Sequence, residues 1–434
     1  MPSPPSPVLA TARQVADPHH VRAALRVTTT DATVAAALRC GAAVGLTLAA
    51  SAAAGRTDLA GFAALGALAS LYGRYDPYRR RAAVLAGAGG LLVVAFVLTA
   101  ALTAAGAPLA VALGAVALLS GTATVLCVLV RTGPPGATIV VFAAAGGIAG
   151  PVGWHDVLER GLAGAAGAAI AWSVCMSGYL VRPSAPARLA VRRAADALRR
   201  ADDVRAASDG DPAAADAVEA AYRAVAHART VLADDLSHRR TRDTALVLTA
   251  ELAVVAGPAD ALPARRNLRD TARATWPSAG WRLTGVRVVL AGLASGAVAL
   301  VAGFGHPAWA QMGSTATLQG TTTHHAVVRA LQRGAGTALG ALVAWPLLSA
   351  HLSFAATAVV VVGLQVVTEV VVGRHYGLAM LTITPMALLM TSLGGAGDPS
   401  GMALSRALDT VLGAALGVLA VVVVHPRRAG RAAG

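Results

Sequence analysis

Two arginines hold equivalent places in this sequence, and their chemistry suits the binding of an anion. Arg39 lies a few residues into one apolar stretch, and Arg287 lies a few residues into another, far later in the chain. A guanidinium can hold a carboxylate through two parallel hydrogen bonds. We therefore predict Arg39 and Arg287 as substrate-binding residues. The alternative, left open, is that both side chains extend to lipid headgroups.

Few other charged side chains fall within apolar stretches. Arg333 is a third candidate for attracting an anion. Glu369 lies among valines, where loss of hydration would favour its neutral form, so we predict it as a proton-coupling residue; the alternative, left open, is that it only reaches the headgroups. Asp409 is a second proton-coupling candidate. It lies three residues after Arg406, so both share a helix face, and the alternative is that they only neutralise each other.

A polar segment adds neutral candidates for the same site. The stretch from Gln311 to His325 reads QMGSTATLQGTTTHH, which is unusually polar for a helix that faces lipid. The amides and hydroxyls of Gln311, Thr315 and Gln319 suit the lining of a wet pathway. We predict these three as substrate-binding residues. The adjacent His324 and His325 have no third ligand nearby, so we predict loop residues and no metal site.

Composition indicates what must position these side chains. The chain is 56% hydrophobic and 13% charged, with a mean hydropathy of +0.62, whereas soluble domains carry about 25% charged residues. The formal charge is +14, but the arginines lie between apolar runs or in one central block, so we expect no nucleic-acid partner. All 36 basic residues are arginine, which excludes lysine chemistry. No catalytic motif is present, and we predict no enzyme and no cofactor.

Twelve apolar stretches approach the length of about 20 residues that a membrane helix needs. Six precede the central block, near 34–54, 57–73, 82–104, 107–130, 136–151 and 160–180. Six follow it, near 284–303, 306–322, 330–349, 353–372, 376–393 and 404–424. The predicted fold is an all-α integral membrane protein with two six-helix transmembrane repeats joined by a helical cytoplasmic domain.

The two sets show signs of duplication. Aligned glycines, leucines and arginines recur in the same order, pairing Gly66 with Gly313, Leu71 with Leu318, Gly73 with Gly320, Arg160 with Arg406 and Gly167 with Gly413. Each set has an even number of spans, so both sets begin on the same side of the membrane and have the same orientation. The two repeats are therefore predicted to be parallel. Arginine is concentrated in alternate loops and in the central block, which places both termini in the cytoplasm.

The predicted domain organisation follows from these spans. We expect a cytoplasmic N-terminal segment at 1–33, the first repeat at 34–182, a helical cytoplasmic linker domain at 183–283, the second repeat at 284–424 and a cytoplasmic tail at 425–434. The apolar run from Ala245 to Val255 is too short to cross a bilayer, so we expect it to pack within the linker domain or lie at the interface. No signal peptide is evident. The arginine-only, alanine-rich usage indicates a bacterial cytoplasmic membrane.

Residues of the second set resemble the fusaric acid resistance (FUSC) family. The resemblance is carried by Trp309, a threonine-rich stretch, Arg329, Arg333, Gly336, Thr337, Gly340, Arg406, Asp409, Thr410, Gly413 and Pro426. This family includes aromatic acid exporters and is distantly similar to plant malate channels. The first set departs from the pattern, with Leu85 opposite Arg333 and Ala163 opposite Asp409. The resemblance implies export of small organic, often aromatic, anions.

The predicted function is therefore efflux of a small organic anion or toxic acid, driven by the proton gradient or by the membrane potential. A passive anion channel is one alternative, and a membrane scaffold without transport is another. The expected partners are the anion and the lipid bilayer, and a homo-oligomer is left open.

Overall fold

The described residues of this computed structural model are 14–15, 17–27, 34–150, 152–207, 212–258, 261–278, 280–319, 322–393 and 399–424. Within them the chain forms seventeen α-helices and no strands, so the predicted all-α class is confirmed. The expected tail at 425–434, which includes Pro426, and most of the segment at 1–33 lie outside the described residues.

The first set of helices follows a short helix, α1 (His19–Leu25). It consists of α2 (Val34–Ala53), α3 (Ala60–Ala67), α4 (Tyr78–Ala104), α5 (Leu109–Val130), α6 (Thr138–Ile148) and α7 (Trp154–Val181). The second set consists of α12 (Gly280–Val301), α13 (Pro307–Thr317), α14 (Thr323–Ser349), α15 (Phe354–Val371), α16 (Tyr376–Ser392) and α17 (Pro399–Val423). In both sets the second and fifth helices are shorter than their neighbours.

Four helices lie between the two sets in the chain. They are α8 (Ala185–Ala207), α9 (Pro212–Leu236), α10 (Arg242–Ala256) and α11 (Leu268–Thr275). The helices α8, α9 and α10 pack on one another around a small core of their own, which includes Ala194, Leu232 and Leu248. The apolar run from Ala245 to Val255 therefore lies in a helix that packs with α8 and α9, one of the two expected arrangements.

The helices of both sets have the composition of membrane spans. Among the described residues, seven are long and apolar enough to cross a bilayer, namely Val34–Ala53, Tyr78–Ala104, Leu109–Val130, Trp154–Val181, Gly280–Val301, Phe354–Val371 and Ser400–Val423. Shorter apolar helical segments include Thr57–Leu71, Thr138–Ile148 and Tyr376–Ser392. The chain is therefore a multi-pass membrane protein, and the finer arrangement of twelve spans stays a prediction.

Glycines let the second and sixth helices of each set cross at close range. A methyl group on Gly167 of α7 would overlap the carbonyl oxygen of Ala63 in α3. A methyl group on Gly413 of α17 would overlap the carbonyl oxygen of Ala310 in α13. Small residues at such crossings allow backbones to approach and gain packing contacts that lipid cannot supply. The two sets then meet through α5 against α12 and α2 against α15.

We predict that Gly413→Ala lowers the free energy of unfolding by about 1–3 kcal/mol, because the added methyl group must push α17 away from α13. The matched control is Gly363→Ala, since a methyl group on Gly363 of α15 meets no atom within 4 Å. Thermal unfolding of the detergent-purified protein measures both. Equal midpoints for the two variants would contradict the close crossing.

Candidate functional site

Two fully buried arginines lie in the second set of helices. Arg333 of α14 and Arg406 of α17 are each 2% exposed. Arg333 donates from Nη1 to the hydroxyl of Tyr376 at 2.6 Å. The guanidinium carbon of Arg406 lies 5.1 Å from the centre of the Trp309 ring, and both arginines also touch methionine sulfurs. The immediate surroundings of these two charges are thus aromatic and apolar.

A third guanidinium joins them. The guanidinium carbon of Arg329 lies 3.6 Å from the centre of the Tyr376 ring, and its Nη2 donates to Oε1 of Gln319 at 3.2 Å. The charges of Arg329, Arg333 and Arg406 all act on the Tyr376 phenol, and those of Arg333 and Arg406 repel each other. We call Arg329, Arg333, Arg406 and Tyr376 the arginine cluster.

The arginine cluster lacks a matching set of negative charges. Among the described residues, no carboxylate comes within 4.0 Å of any of its three guanidinium groups. The Nε atoms of Arg329, Arg333 and Arg406 are buried and have no hydrogen-bond partner. Buried cations are costly unless they are paired. The arrangement therefore suits an anion that enters and leaves.

Asp409 is the acidic residue nearest to the cluster, but it faces another group. Its side chain is fully buried, and its Oδ2 accepts a hydrogen bond from the hydroxyl of Ser405 at 2.8 Å. Its Oδ1 has no partner. No ion pair within 4.0 Å joins Asp409 to Arg406 among the described residues, but the two opposite charges still attract each other, so their mutual neutralisation stays a prediction.

A short hydrogen-bonded chain leads from Asp409 toward solvent. Nδ1 of His306 lies 3.0 Å from the Ser405 hydroxyl. A serine hydroxyl has one proton, and Ser405 gives it to Asp409, so His306 must carry a proton on Nδ1 to complete the chain. The His306 ring stacks on Trp309 with centroids 3.9 Å apart. His306, Ser405 and Trp309 all reach the surface of the cavity described next.

A cavity of about 920 Å³ lies between the two sets of helices. Its wall is mostly apolar, and the side chains that matter most here are Phe62, Phe142, Arg160, His306, Trp309 and Ser405. The cavity lies at the end of the bundle where α7 begins. Since α7 ends at Val181, just before α8, the cavity and the central helices are at opposite ends. The volume is within the range of small-molecule sites.

The predicted polar residues of α13 lie in a buried hydrogen-bond network. Nε2 of Gln311 donates to the carbonyls of Leu113 and Gly292 at 2.9 and 3.1 Å. The hydroxyls of Thr315 and Ser120 are 2.7 Å apart. Gln319 donates from its amide to the Pro135 carbonyl and to Thr138.

This network ties α13 to both sets of helices. Gln311 and Thr315 are fully buried, and neither lines the large cavity. Only Gln319 touches the arginine cluster, through Arg329. Substrate binding by Gln311, Thr315 and Gln319 stays a prediction.

Arg39 and Arg287 lie in separate places. Arg287 is half-buried and donates from Nε to the carbonyl of Val424 at 2.7 Å, just beyond α17. Arg39 lines a smaller cavity next to α8. Within the described part of the chain, no hydrogen bond or ion pair joins either residue to Arg333. Their predicted role in substrate binding is untested.

Glu369 has a partner that the sequence does not indicate. It is 6% exposed and forms an ion pair with Arg74, which follows the short helical turn Leu68–Leu71 in the first set. The Cys40 thiol lies 4.0 Å from the same carboxylate oxygen. This pair therefore joins α15 to the first set of helices. A proton-coupling role for Glu369 stays a prediction.

Comparison with known proteins finds similarity in the second set of helices. Residues 290–420 match the model of the family described as fusaric acid resistance protein-like. Over 131 residues the chain is 32% identical to an uncharacterized membrane protein, YvaC, from Bacillus subtilis (strain 168). No solved structure matches the chain.

The matched region contains the whole arginine cluster. The separate alignment with YvaC covers 30% of this chain and 21%, about a fifth, of the length of YvaC. The fold and site define a multi-pass α-helical membrane protein. Residues 290–420 are similar to the fusaric acid resistance protein-like family, which confirms the resemblance seen in the sequence.

We predict that Arg74→Gln lowers the free energy of unfolding by about 3–5 kcal/mol, because it leaves the buried Glu369 carboxylate without its cation. The double variant Arg74→Gln with Glu369→Gln should recover most of that loss, since both partners are then neutral. Thermal unfolding of the three proteins in detergent measures the effect. If the double variant were no more stable than Arg74→Gln, the ion pair would not be the cause.

Proposed function

We propose that this protein is a secondary transporter that exports a small organic anion from a bacterial cell. The observation that carries the proposal is the arginine cluster, in which two fully buried guanidinium groups form no ion pair with a carboxylate among the described residues. An arginine at mid-membrane costs about 2.5–3.5 kcal/mol on insertion scales. Binding of an anion would offset the cost of these buried charges. The description of the matching family, fusaric acid resistance protein-like, agrees with transport of an organic acid.

The architecture that supports the proposal is a pair of parallel six-helix repeats. The matching order of helix lengths, the equivalent glycine crossings at Gly167 and Gly413, and the reciprocal contacts of α5 with α12 and α15 with α2 all favour it. We further propose that the central helices and both termini are cytoplasmic, because arginine is concentrated there. The large cavity then opens to the outside of the cell.

The proposed substrate position lies between Arg333 and Arg406. A carboxylate there would accept hydrogen bonds from both guanidinium groups. The apolar body of the substrate would pack against Trp309 and the thioether of Met312, which lies 4.0 Å from Nη2 of Arg406. The route to the outside passes Trp309 and enters the large cavity. The ligand is thus a small organic acid with one negative group and an apolar portion.

The electrostatics favour the membrane potential as the driving force. Protonation of Asp409 would remove a negative charge near Arg406 and strengthen anion binding. If that proton moved together with the anion, an inward proton gradient would oppose export. A membrane potential that is negative inside favours outward movement of an anion by about 2.3 kcal/mol per charge per 100 mV. Asp409 then tunes affinity, and it receives protons from outside through Ser405 and His306.

We predict that Arg333→Leu abolishes export while the protein folds normally. Leucine fits because Leu85 occupies the corresponding place in the first set, and replacing a buried charge by an apolar residue is often neutral or stabilising. Growth of a deletion strain on a panel of aromatic and aliphatic acids first identifies a substrate. Efflux of that acid from cells carrying each variant then measures the loss.

The matched control is Arg282→Gln, which removes one positive charge from an exposed position at the start of α12. It should export like the unmodified protein. Normal efflux by Arg333→Leu would exclude the arginine cluster as the anion site.

We predict that an imposed membrane potential drives substrate flux into or out of proteoliposomes and that Asp409→Asn retains this flux. The variant should bind the substrate more tightly at neutral pH, because a neutral amide replaces the negative charge near Arg406. A pH difference alone should drive no accumulation. Accumulation driven by a pH difference and lost in Asp409→Asn would instead establish that Asp409 couples transport to protons.

A counterflow assay separates a carrier from the alternative of a channel. Vesicles are loaded with unlabelled acid and given a trace of labelled acid outside. When potassium and valinomycin clamp the membrane potential at zero, a carrier that alternates between two states accumulates the label transiently, whereas an open anion channel does not.

A further inference from the structure

A second cavity, of about 120 Å³, lies where the first set of helices meets α8 and α9. Its wall carries five basic side chains, and we call it the basic pocket. These residues are Arg39, Arg74, Arg81, Arg193 and His227. They come from α2, from the segment that joins α3 to α4, from the first turn of α4, and from α8 and α9. Four of these side chains are arginines from four different segments, and such a convergence of cations indicates a site for a compact anion.

The acidic groups near the basic pocket are already engaged. Glu369 pairs with Arg74. Asp76 accepts from Nε of Arg80 at 3.2 Å, so its charge is shared with an arginine outside the wall. None of the described residues that form the wall is acidic. The positive charge of the pocket therefore exceeds the negative charge around it.

Arg81 is held rigidly and keeps one donor unused. It is 4% exposed, and its Nε donates to the Gly73 carbonyl at 3.0 Å while Nη2 donates to the Asp76 carbonyl at 2.9 Å. Its buried Nη1 has no partner. The charge of Arg39 is close enough to repel that of Arg81. Because Arg81 is held in this way, it can bind an oxyanion with little loss of side-chain freedom, and Arg39 adds a second positive charge beside it.

The remaining wall is also ordered. The guanidinium carbon of Arg193 lies 4.4 Å from the centre of the Tyr75 ring. Partial loss of hydration and the nearby charges of Arg193 and Arg80 lower the pKa of His227 below its usual value, so at neutral pH its ring adds no charge. The charge of the pocket is thus supplied by arginine, whose planar fork matches the oxygens of a phosphate.

We propose that the basic pocket binds a phosphate-type oxyanion, and that its source is the headgroup of an anionic phospholipid. This site is distinct from the proposed substrate position at the arginine cluster. Inorganic phosphate has the same chemistry and is the other source that the pocket could accept.

The position of the basic pocket favours the lipid. It lies at the end of the bundle next to the central helices, beside the first turns of α2. Val34 and Leu38 of α2 are each 57% exposed, so an apolar surface for acyl chains adjoins Arg39. Basic pockets at the cytoplasmic ends of membrane helices suit anionic headgroups. A bound lipid would also link α2 to α8.

The experiment compares full-length protein and two variants, Arg39→Gln and Arg193→Gln. Each is purified in detergent, mixed with phosphatidylglycerol or phosphatidylcholine, and analysed by native mass spectrometry for retained lipid. The matched control is Arg192→Gln, which removes the exposed neighbouring charge on the same helix. A separate titration with inorganic phosphate, followed by thermal unfolding in neutral lipid nanodiscs, tests the other source.

We expect phosphatidylglycerol to be retained in preference to phosphatidylcholine, and each pocket variant to bind it about tenfold or more weakly, as for loss of one charge-assisted hydrogen bond. Arg192→Gln should bind like the unmodified protein. If millimolar inorganic phosphate stabilises the protein and this effect is lost in the same two variants, the pocket is an oxyanion site whose ligand is free phosphate. The lipid source would then be wrong. If neither probe binds, or if Arg192→Gln is as weak as the pocket variants, the proposal is wrong.

Neither result depends on the proposed export. Lipid retention is measured without substrate, whereas the Arg333→Leu test measures efflux only. If one of the two experiments contradicts its proposal, the other proposal is unaffected.

Discussion

Charge buried in an apolar membrane interior is the constraint on which the rest of this structure depends. The described helices carry their hydrophobic surfaces toward lipid and toward one another, and every guanidinium placed among them needs an acceptor. Arg81 meets this need with backbone carbonyls, and Arg74 meets it with Glu369. Arg333 and Arg406 do not meet it within the protein to the same extent. The proposed anion site rests on this difference in how fully each guanidinium is satisfied.

The two sets of helices are built alike but are not chemically alike. Equivalent glycines support the same helix crossing in both, and Arg160 lies over Phe62 much as Arg406 lies over Trp309. The first set, however, has Leu85 and Ala163 where the second has Arg333 and Asp409. One set therefore carries the polar chemistry, while the other supplies a matching wall and the partners that hold α13 in place.

Much of the fold could be predicted from the sequence, because apolar length and arginine position are properties of single segments. All twelve apolar stretches coincide with helical segments, although the shorter ones fall below the usual length of a span. The site was less predictable. Helical spacing shows that Arg406 and Asp409 share a face, but it does not show that Ser405 captures the carboxylate.

Contacts between segments that are distant in the sequence were the part of the site that could not be predicted. Arg74 is one of several arginines in a polar loop, and nothing in its neighbourhood indicates a partner in α15. Tyr376 starts its helix without any motif, yet it is the centre of the arginine cluster. Arg329 and Arg406 were visible as parts of a family pattern, but their convergence on one phenol depends on how α14, α16 and α17 pack.

The ion pair between Arg74 and Glu369 has a mechanical consequence. It joins the two sets of helices at the end near the central helices, while the large cavity separates them at the other end. Parting the fastened end would strip a carboxylate of its counter-ion in an oily surrounding. The two sets are thus joined by an ion pair at one end and separated by a cavity at the other. A rocking motion that closed the cavity by parting the joined end would have to break this ion pair.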